Sequence, residues 1–450
     1  MRLSQIANVL GGMLSGPDVE FTAVSTDSRG IQAGDLFVAL SGEHFDGAEF
    51  VLGALASGAV AAMVNKGRNW SPELSVIVVE DTRLALGQLA AYWRKQFAIP
   101  VVGITGSNGK TSVKEMLASI LRVHTGNADE VLATLGNLNN DIGMPLTLLK
   151  LHAEQRYAVI EMGMNHTGEI DYLTRLACPD VAVVNNATSA HLAGLGSVEA
   201  VALAKGEIFA GLGQDGLAVI NADDDYAALW RKAAAAHEIV DFGLDAKASV
   251  NASWREKGFG VHMDVSTPHG EFAVELQVPG VHNVRNALAA TAAAIALEVP
   301  LSTIAAGLKS FAGVKGRLQR MPALHGAALI DDSYNANPAS LSAAIKVLAQ
   351  MPGKKILVLG DMGELGADAP HFHAEIGAEA RSLGIQKLLA LGDLSAYAVD
   401  EFGVGATHFK RIEDLLLCLE ENLDTHSTVL VKGSRFMKME RVVQHCTALQ

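Results

Sequence analysis

At 450 residues, 49% of them hydrophobic, the chain holds more apolar material than one core can use and predicts about three domains. A formal net charge of −14, from 35 Lys and Arg against 49 Asp and Glu, argues against a nucleic-acid partner, because phosphodiester backbones are held by clustered cations. Cys178, Cys418 and Cys446 are too scattered for a disulfide framework, the amino terminus lacks an apolar signal core, and no run of about 18 uncharged apolar residues follows, so the sequence predicts a cytoplasmic protein that does not span a membrane.

Residues 1–81 alternate short apolar runs at 36–40, 61–64 and 76–79 with one helical stretch at 48–57, which predicts a small α/β unit. Two polar, glycine-flanked stretches interrupt it, Ser25-Thr26-Asp27-Ser28-Arg29 and residues 42–47 with His44; ligand loops have this composition, and so do ordinary turns. Asp81 then caps a helix with apolar residues Leu86, Leu89, Ala90, Trp93 and Phe97 at 3/4 spacing, and a second domain is placed over residues 82–312.

A β-branched run at 99–104 leads through Gly106, Ser107, Asn108 and Gly109 into Lys110 and Thr111, where helical spacing resumes over 111–121. Strand, glycine loop and helix in this order read as a phosphate cradle. Backbone N–H groups and the helix dipole would face the anion, Lys110 would reach the terminal phosphates, and the Thr111 hydroxyl would sit on Mg²⁺. The loop is a variant, because the usual first glycine position holds Ile104. Further continuous apolar runs at 157–162, 181–184 and 217–220 predict buried parallel strands. Residues 248–278 alternate polar and apolar, with turn signals at 257–258 and 268–270, and read as an antiparallel meander at the sheet edge. The alanine-rich stretches 233–236 and 287–296 read as helix, the second within a longer one over 283–297.

After Gly313-Val314-Lys315-Gly316 the β/α alternation restarts, with strands expected at 327–330, 356–359, 388–391 and 429–431; a Rossmann-like third domain is placed over residues 313–450. The glycine-containing segment before it reads as a hinge that lets this domain swing onto the second.

Mg²⁺ needs further hard oxygen ligands, and Glu161, at the end of the run 157–160, opens into the same crevice as the loop. His191, just beyond the run 181–184, is a second candidate. Lys205 reads, on composition alone, as a solvated helix lysine. His371 and Glu375 lie one helical turn apart without a third partner and read as an exposed face.

The loop 105–111 closely resembles that of the Mur ligase family, displaced glycine included. Residues 136–145, 161–163, 186–191, 204–207, His282-Asn283 with Asn286, Gly316-Arg317 and 331–338 resemble family segments in family order and span most of the chain. The resemblance implies an α/β protein of three domains: a small one for a UDP-linked substrate, a central phosphate-loop ATPase with a parallel sheet, and a Rossmann-like one that closes over both. It further implies ATP and Mg²⁺, with Lys110 on the β- and γ-phosphates, Thr111, Glu161 and His191 serving metal, Asn283 facing adenine, and Arg317 and Asp332 meeting phosphate and ribose, with Asp331 as neighbouring candidate for the latter. Lys205 matches a lysine that the family carbamylates to help hold a second Mg²⁺. Ser28, Arg29, Asn137, Asn139, Asn140, Asn335 and Asn337 fall at substrate-binding positions. Residues 332–338, 360–366 and 431–435 resemble most the family member that adds D-alanyl-D-alanine to a UDP-linked muramoyl tripeptide during peptidoglycan precursor synthesis, and the Asp-Asn-Pro-Arg stretch of the diaminopimelate-adding member is missing. A monomeric ATP-dependent amide ligase is the expectation. A single-amino-acid ligase of the same family, a phosphate-loop kinase and a nucleotide-switched binding protein are the alternatives.

Overall fold

The computed structural model describes residues 1–42, 45–189 and 192–447; His44, Glu43 and His191 lie outside them. Among the described residues the strands form three large sheets in chain order, with a smaller three-stranded one against the second and a two-stranded pair, Ser41–Gly42 with Phe45–Asp46, in the first unit. No helix among them is long and apolar enough to cross a membrane, and the three cysteines are free thiols.

The first sheet runs Met13–Ser15, Val76–Val79, Ala61–Asn65, Asp35–Val38, Ala23–Ser25, parallel except for its first pair. Alternate side chains feed two cores: Leu36, Val38, Met63 and Ile77 pack with Leu3, Ile6 and Phe21 on one face, and Phe37, Ala62 and Val64 with Val51 and Ala54 on the other. Because both faces are covered, the runs are continuously apolar, which is why they were visible in the sequence. The helix Thr82–Arg94, capped by Asp81 through the N–H groups of Arg83 and Leu84, joins two units: Leu86 and Leu89 pack in the first core and Ala90 in the next.

The second sheet is wholly parallel, in the order Glu238–Phe242, Leu217–Asn221, Val181–Val184, Val101–Thr105, Tyr157–Glu161, Val131–Ala133. The strand that feeds the phosphate loop sits between Val181–Val184 and Tyr157–Glu161. The carboxyl ends of all three therefore open at one topological switch point, where α/β sheets form their crevice.

Two expectations need correction. The meander Asn251–Lys257, Gly260–Thr267, Gly270–Leu276 is a separate sheet, tied to its neighbour by the bridge Phe242↔Val250. Its one-sided apolar pattern requires a partner face, and Val261, Met263, Val265, Val274 and Leu276 find it in a core shared with the helix Val281–Ala296 rather than at a strand edge. The alanines at 234–236 form a turn beyond the helix Ala227–Ala233. Alanine's helix preference is worth only tenths of a kcal/mol per residue, whereas continuing the helix would consume the lead into Glu238–Phe242, which pairs along its whole length with Leu217–Asn221.

The third sheet runs Gln319–Pro322, Ala328–Asp332, Ser427–Lys432, Lys354–Gly360, Lys387–Leu391, Ala406–Phe409, parallel except for its first pair. Its register sets Asp332 beside Lys432 at the carboxyl ends of adjacent strands. The helix Pro338–Ala349 starts at the same end, with Asn337 as its N-cap in a capping box with Ser340.

Candidate active site

A cavity of about 1440 Å³ lies where the second and third sheets present their strand ends, and most of the residues singled out in the sequence line it. At its base Gly109 takes φ +80°, and a Cβ there would come within 2.3 Å of Asn286 Oδ1, so both conformation and space require glycine. The amides of Ser107 and Asn108 donate to the carbonyl and the side-chain oxygen of Asn186, at 2.9 and 2.8 Å, which fixes the loop to the neighbouring strand end. The helix Lys110–Thr125 follows, and its first-turn N–H groups, which have no intrahelical acceptor, open on the cavity at Lys110, Thr111 and Ser112. Lys110 Nζ folds back on the carbonyls of Gly106 and Ser107, at 2.6 and 3.3 Å. Burial lowers its pKa, opposed by the Glu161 charge.

Glu161 is gripped on both oxygens. Thr111 Oγ1 donates to one at 2.9 Å and Asn139 Nδ2 to the other at 2.7 Å, while Thr134 Oγ1 accepts its backbone N–H at 2.9 Å. Arg317, from the third unit, donates to Thr111 Oγ1 at 2.9 Å, with its guanidinium 4.4 Å above the Tyr334 ring. A second bridge between the units runs from Asn337 Nδ2 to Asn108 Oδ1 at 2.8 Å. Hydroxyl and carboxylate at one point form a hard oxygen set suited to Mg²⁺. Among the described residues no group of three or more His, Cys, Asp or Glu forms a protein cage, and a cation carried largely by phosphate oxygens and water needs none.

Asp332 accepts from Leu318 N–H at 3.2 Å and from Lys432 Nζ at 2.5 Å; burial pushes its carboxyl upward, against Lys432 and Arg317. Asp331 instead closes a buried turn onto Ser333 and is not part of the cavity wall. Asn283 is buried, donates to Pro279 O and joins Asn286 and Asn185 in an amide chain. His282 beside it is lowered to about 4, by burial first and then by Lys432 and Arg285. Asn335 accepts from the backbone N–H groups of Ala336 and Arg435.

The structure does not gather every residue. Ser28 and Arg29 lie in the first unit, away from this cavity, with Arg29 bound to Asp27 at 2.7 Å and largely exposed. Asn137, Asn139 and Asn140 all line the cavity, but Asn139 holds Glu161 and Asn140 accepts the N–H of Gly143 at 2.8 Å, opening the helix Gly143–Leu148. His191 lies outside the described residues. Lys205 is off the cavity wall and, contrary to its reading from composition, is 1% exposed; burial and the Lys110 charge drive its pKa well below the usual range. His371 and Glu375 form the exposed pair expected, at 3.1 Å.

Sequence reasoning missed the pair Arg83–Asp141, which sits on the cavity wall with Tyr172. It also missed the role of Lys432, whose partner lies 100 residues away. The register of Asp332 with Lys432 would have revealed the second; the first carries no local signal.

A phosphate loop on a parallel sheet, with an arginine reaching it from a second Rossmann-like unit, defines a nucleotide-dependent enzyme working between domains. Three family descriptions match in succession: Mur ligase family, catalytic domain, over residues 20–94; Mur ligase middle domain over 104–294; and Mur ligase, glutamate ligase domain, over 316–435. The chain is 44% identical over 446 residues to the UDP-N-acetylmuramoyl-tripeptide–D-alanyl-D-alanine ligase of Escherichia coli K12, covering 98% of this chain and 97% of that one. It is 36% identical to the enzyme of the same name from Bacillus subtilis 168, over 98% and 97%. A crystal structure of MurF from Acinetobacter baumannii superposes with a TM-score of 0.91 at 39% identity, over 98% and 97%. MurF ligase from Thermotoga maritima in complex with ADP superposes with a TM-score of 0.83 at 27% identity, over 94% and 96%. The chain belongs to the Mur ligase family, and its three-domain α/β fold is that family's.

Proposed function

We propose that this cavity joins D-alanyl-D-alanine to the terminal carboxylate of a UDP-N-acetylmuramoyl tripeptide, driven by ATP, in peptidoglycan precursor synthesis. The protein is an ATP-dependent acid–amino-acid ligase that uses Mg²⁺. The observation that carries the site assignment is the meeting of Thr111, Glu161 and Arg317 at one point, from two domains, at the mouth of a phosphate loop.

A carboxylate does not form an amide with an amine in water, because O⁻ leaves poorly. In our reading the tripeptide carboxylate attacks the γ-phosphate of ATP, giving an acyl phosphate and ADP. The dipeptide ammonium gives up one proton to become an amine, which attacks the acyl carbon; phosphate leaves with the bonding pair, the nitrogen loses a second proton, and the amide remains. Lys110 and the first-turn amides hold the phosphates, and Arg317 neutralises charge that develops on them. Glu161 and Thr111 hold Mg²⁺, which offsets phosphate charge when bound. Asn139 acts through Glu161 by fixing its carboxylate. Lys205, if carbamylated, and His191 would complete the metal ligands. Asn283 faces the adenine and Asp332 the ribose.

Residues 1–81, with Ser28 and Arg29, serve the UDP portion, residues 82–312 serve ATP, and residues 313–450 bring the dipeptide, with Asn335 and Asn337 at that end. The protein acts as a cytoplasmic monomer with no nucleic-acid or membrane partner; light scattering that gave a dimer mass would overturn that part. The decisive assay is phosphate release. It should require the UDP-linked tripeptide and D-alanyl-D-alanine together, whereas a kinase would form ADP and a stable phosphorylated product without the amine, and a nucleotide switch would need neither.

A further inference from the structure

The loop at residues 361–366 follows the strand Lys354–Gly360 and carries Gly363, Glu364 and Leu365 onto the cavity wall. Its backbone is pinned at successive residues. Asp361 accepts the N–H groups of Leu394 and Ser395 at 3.2 and 2.7 Å, and its carbonyl accepts that of Ser434 at 3.0 Å. Met362 N–H donates to Nε2 of His373 at 2.9 Å, a ring with no solvent exposure whose Nδ1 lies 2.7 Å from Ala369 O. Gly363 N–H donates to Ser434 Oγ at 2.8 Å, and that hydroxyl lies 3.1 Å from Ala336 O.

Held in this way, Glu364 adopts φ +63°, a left-handed conformation that a residue with a Cβ avoids, and its side chain is exposed at the cavity. Glycine would fit that backbone more easily, and glycines occupy 363 and 366 on either side. A non-glycine residue held in this conformation on the wall of a binding cavity is the kind of strain that functional sites carry. Beside it, a Cβ on Gly363 would come within 2.8 Å of Phe436 Cε1, so an edge of that ring abuts the loop backbone while the residue remains 62% exposed. Ala339 and Ala343, from the start of the helix Pro338–Ala349, and Leu365 add a small apolar surface. Next to Phe436 stands Arg435, its guanidinium 5.9 Å from the Tyr334 ring centre and 3.1 Å from Glu440.

We propose that Glu364 and Arg435 are the two poles of the subsite that receives the incoming dipeptide. Glu364 binds its terminal ammonium, Arg435 binds its terminal carboxylate, and Ala339, Ala343, Leu365 and Phe436 take the two methyl groups. A zwitterion with two methyl side chains is the chemistry this wall complements: one acid, one base and small apolar groups. The assignment rests on the ligase reading above and adds to it the residues that select the amine substrate.

Steady-state kinetics on the full-length protein test it, with D-alanyl-D-alanine and its C-terminal amide as alternative acceptors. Charge-assisted contacts of this kind are worth about tenfold or more in affinity. Glu364→Gln should therefore raise KM for the dipeptide by that factor and leave KM for ATP and for the UDP-linked tripeptide within about twofold. Glu364→Gly removes the strain as well as the carboxylate, so it should melt no lower than wild type and show the same selective rise. Wild type should prefer the free acid to the amide by about tenfold, and Arg435→Ala should erase that preference. Unchanged dipeptide KM in both Glu364 variants, an equal rise for all three substrates, or a preserved acid preference in Arg435→Ala would overturn the proposal. A wild-type protein that ligates no dipeptide would instead overturn the function on which it rests.

Discussion

Lys205 is buried and His282 is half-buried at the cavity wall, and the fold favours the neutral form of each. Lys205 has almost no exposure and a strongly depressed pKa, caused first by burial and then by Lys110. A neutral amine is what carbon dioxide requires to form a carbamate, losing a proton and becoming an anion in the process. If the proposed carbamate serves the metal, activity should fall in carbon-dioxide-depleted buffer and return with bicarbonate, while Lys205→Arg should lose about ten- to a hundredfold. ¹³C-labelled bicarbonate should give wild type a carbamate resonance that Lys205→Arg lacks; its absence from wild type would refute the modification. His282, with a folded pKa of about 4, stays neutral where the same ring in the unfolded chain, with an ordinary value of 6.5, takes up a proton. The unfolded state therefore binds more protons between these values. The contribution of His282 to stability is complete above pH 6.5 and declines as pH falls toward 4. Urea melts at pH 7 and pH 5 should show a smaller loss on acidification in His282→Gln than in wild type, and equal losses would refute the assignment.

At the scale of the element, the helix Pro338–Ala349 does two things through one side chain. Asn337 Oδ1 accepts the Ser340 N–H at 2.9 Å as an N-cap, and its Nδ2 donates across the domain boundary to Asn108 at 2.8 Å. Asn337→Ala should cost about 1 kcal/mol of stability, whereas Asn337→Ser, which still caps, should cost only a few tenths. Both should raise KM for ATP, since both lose the contact with the phosphate loop. An unaltered KM in Asn337→Ser would leave that amide a helix cap alone. Elements of this kind differ in how plainly the sequence announces them. Val181–Val184 and Tyr157–Glu161 are covered on both faces, so they read as continuous apolar runs, and Glu161, at the end of the second, could be placed with it. Gln319–Pro322 and Ala406–Phe409 are half-buried edge strands of mixed composition, and neither has a period to detect. Within the site, Lys110, Thr111 and Glu161 were legible because one loop and one strand end carry them. The grip of Asn139 on Glu161, the partnership of Lys432 with Asp332 and the burial of Lys205 depend on strand order and packing, which local pattern does not encode.

At the scale of the whole molecule, the committed hydrogen bonds at the domain junction imply a rearrangement. Thr111 Oγ1 donates to Glu161 and accepts from Arg317, so a Mg²⁺ taken up by that hydroxyl would set two cations on one oxygen, and their repulsion favours release of the arginine. The released guanidinium can then meet phosphate, and a shift of the third domain would carry it there. Gly313 at φ +94° and Gly316 at φ +73° lie immediately before Arg317, in conformations that suit a hinge absorbing such a change. Closure around both substrates would also keep water from the acyl phosphate, whose hydrolysis would waste ATP. X-ray scattering should therefore give a smaller radius of gyration with an ATP analogue and the UDP-linked tripeptide together than without them. Arg317→Ala should compact less, because it lacks the group that follows the phosphate, and it should hydrolyse ATP with a poorer yield of amide per phosphate released. Identical scattering curves for free and doubly liganded wild type would mean that the junction is preformed, with Arg317 exchanging its partner by side-chain rotation alone.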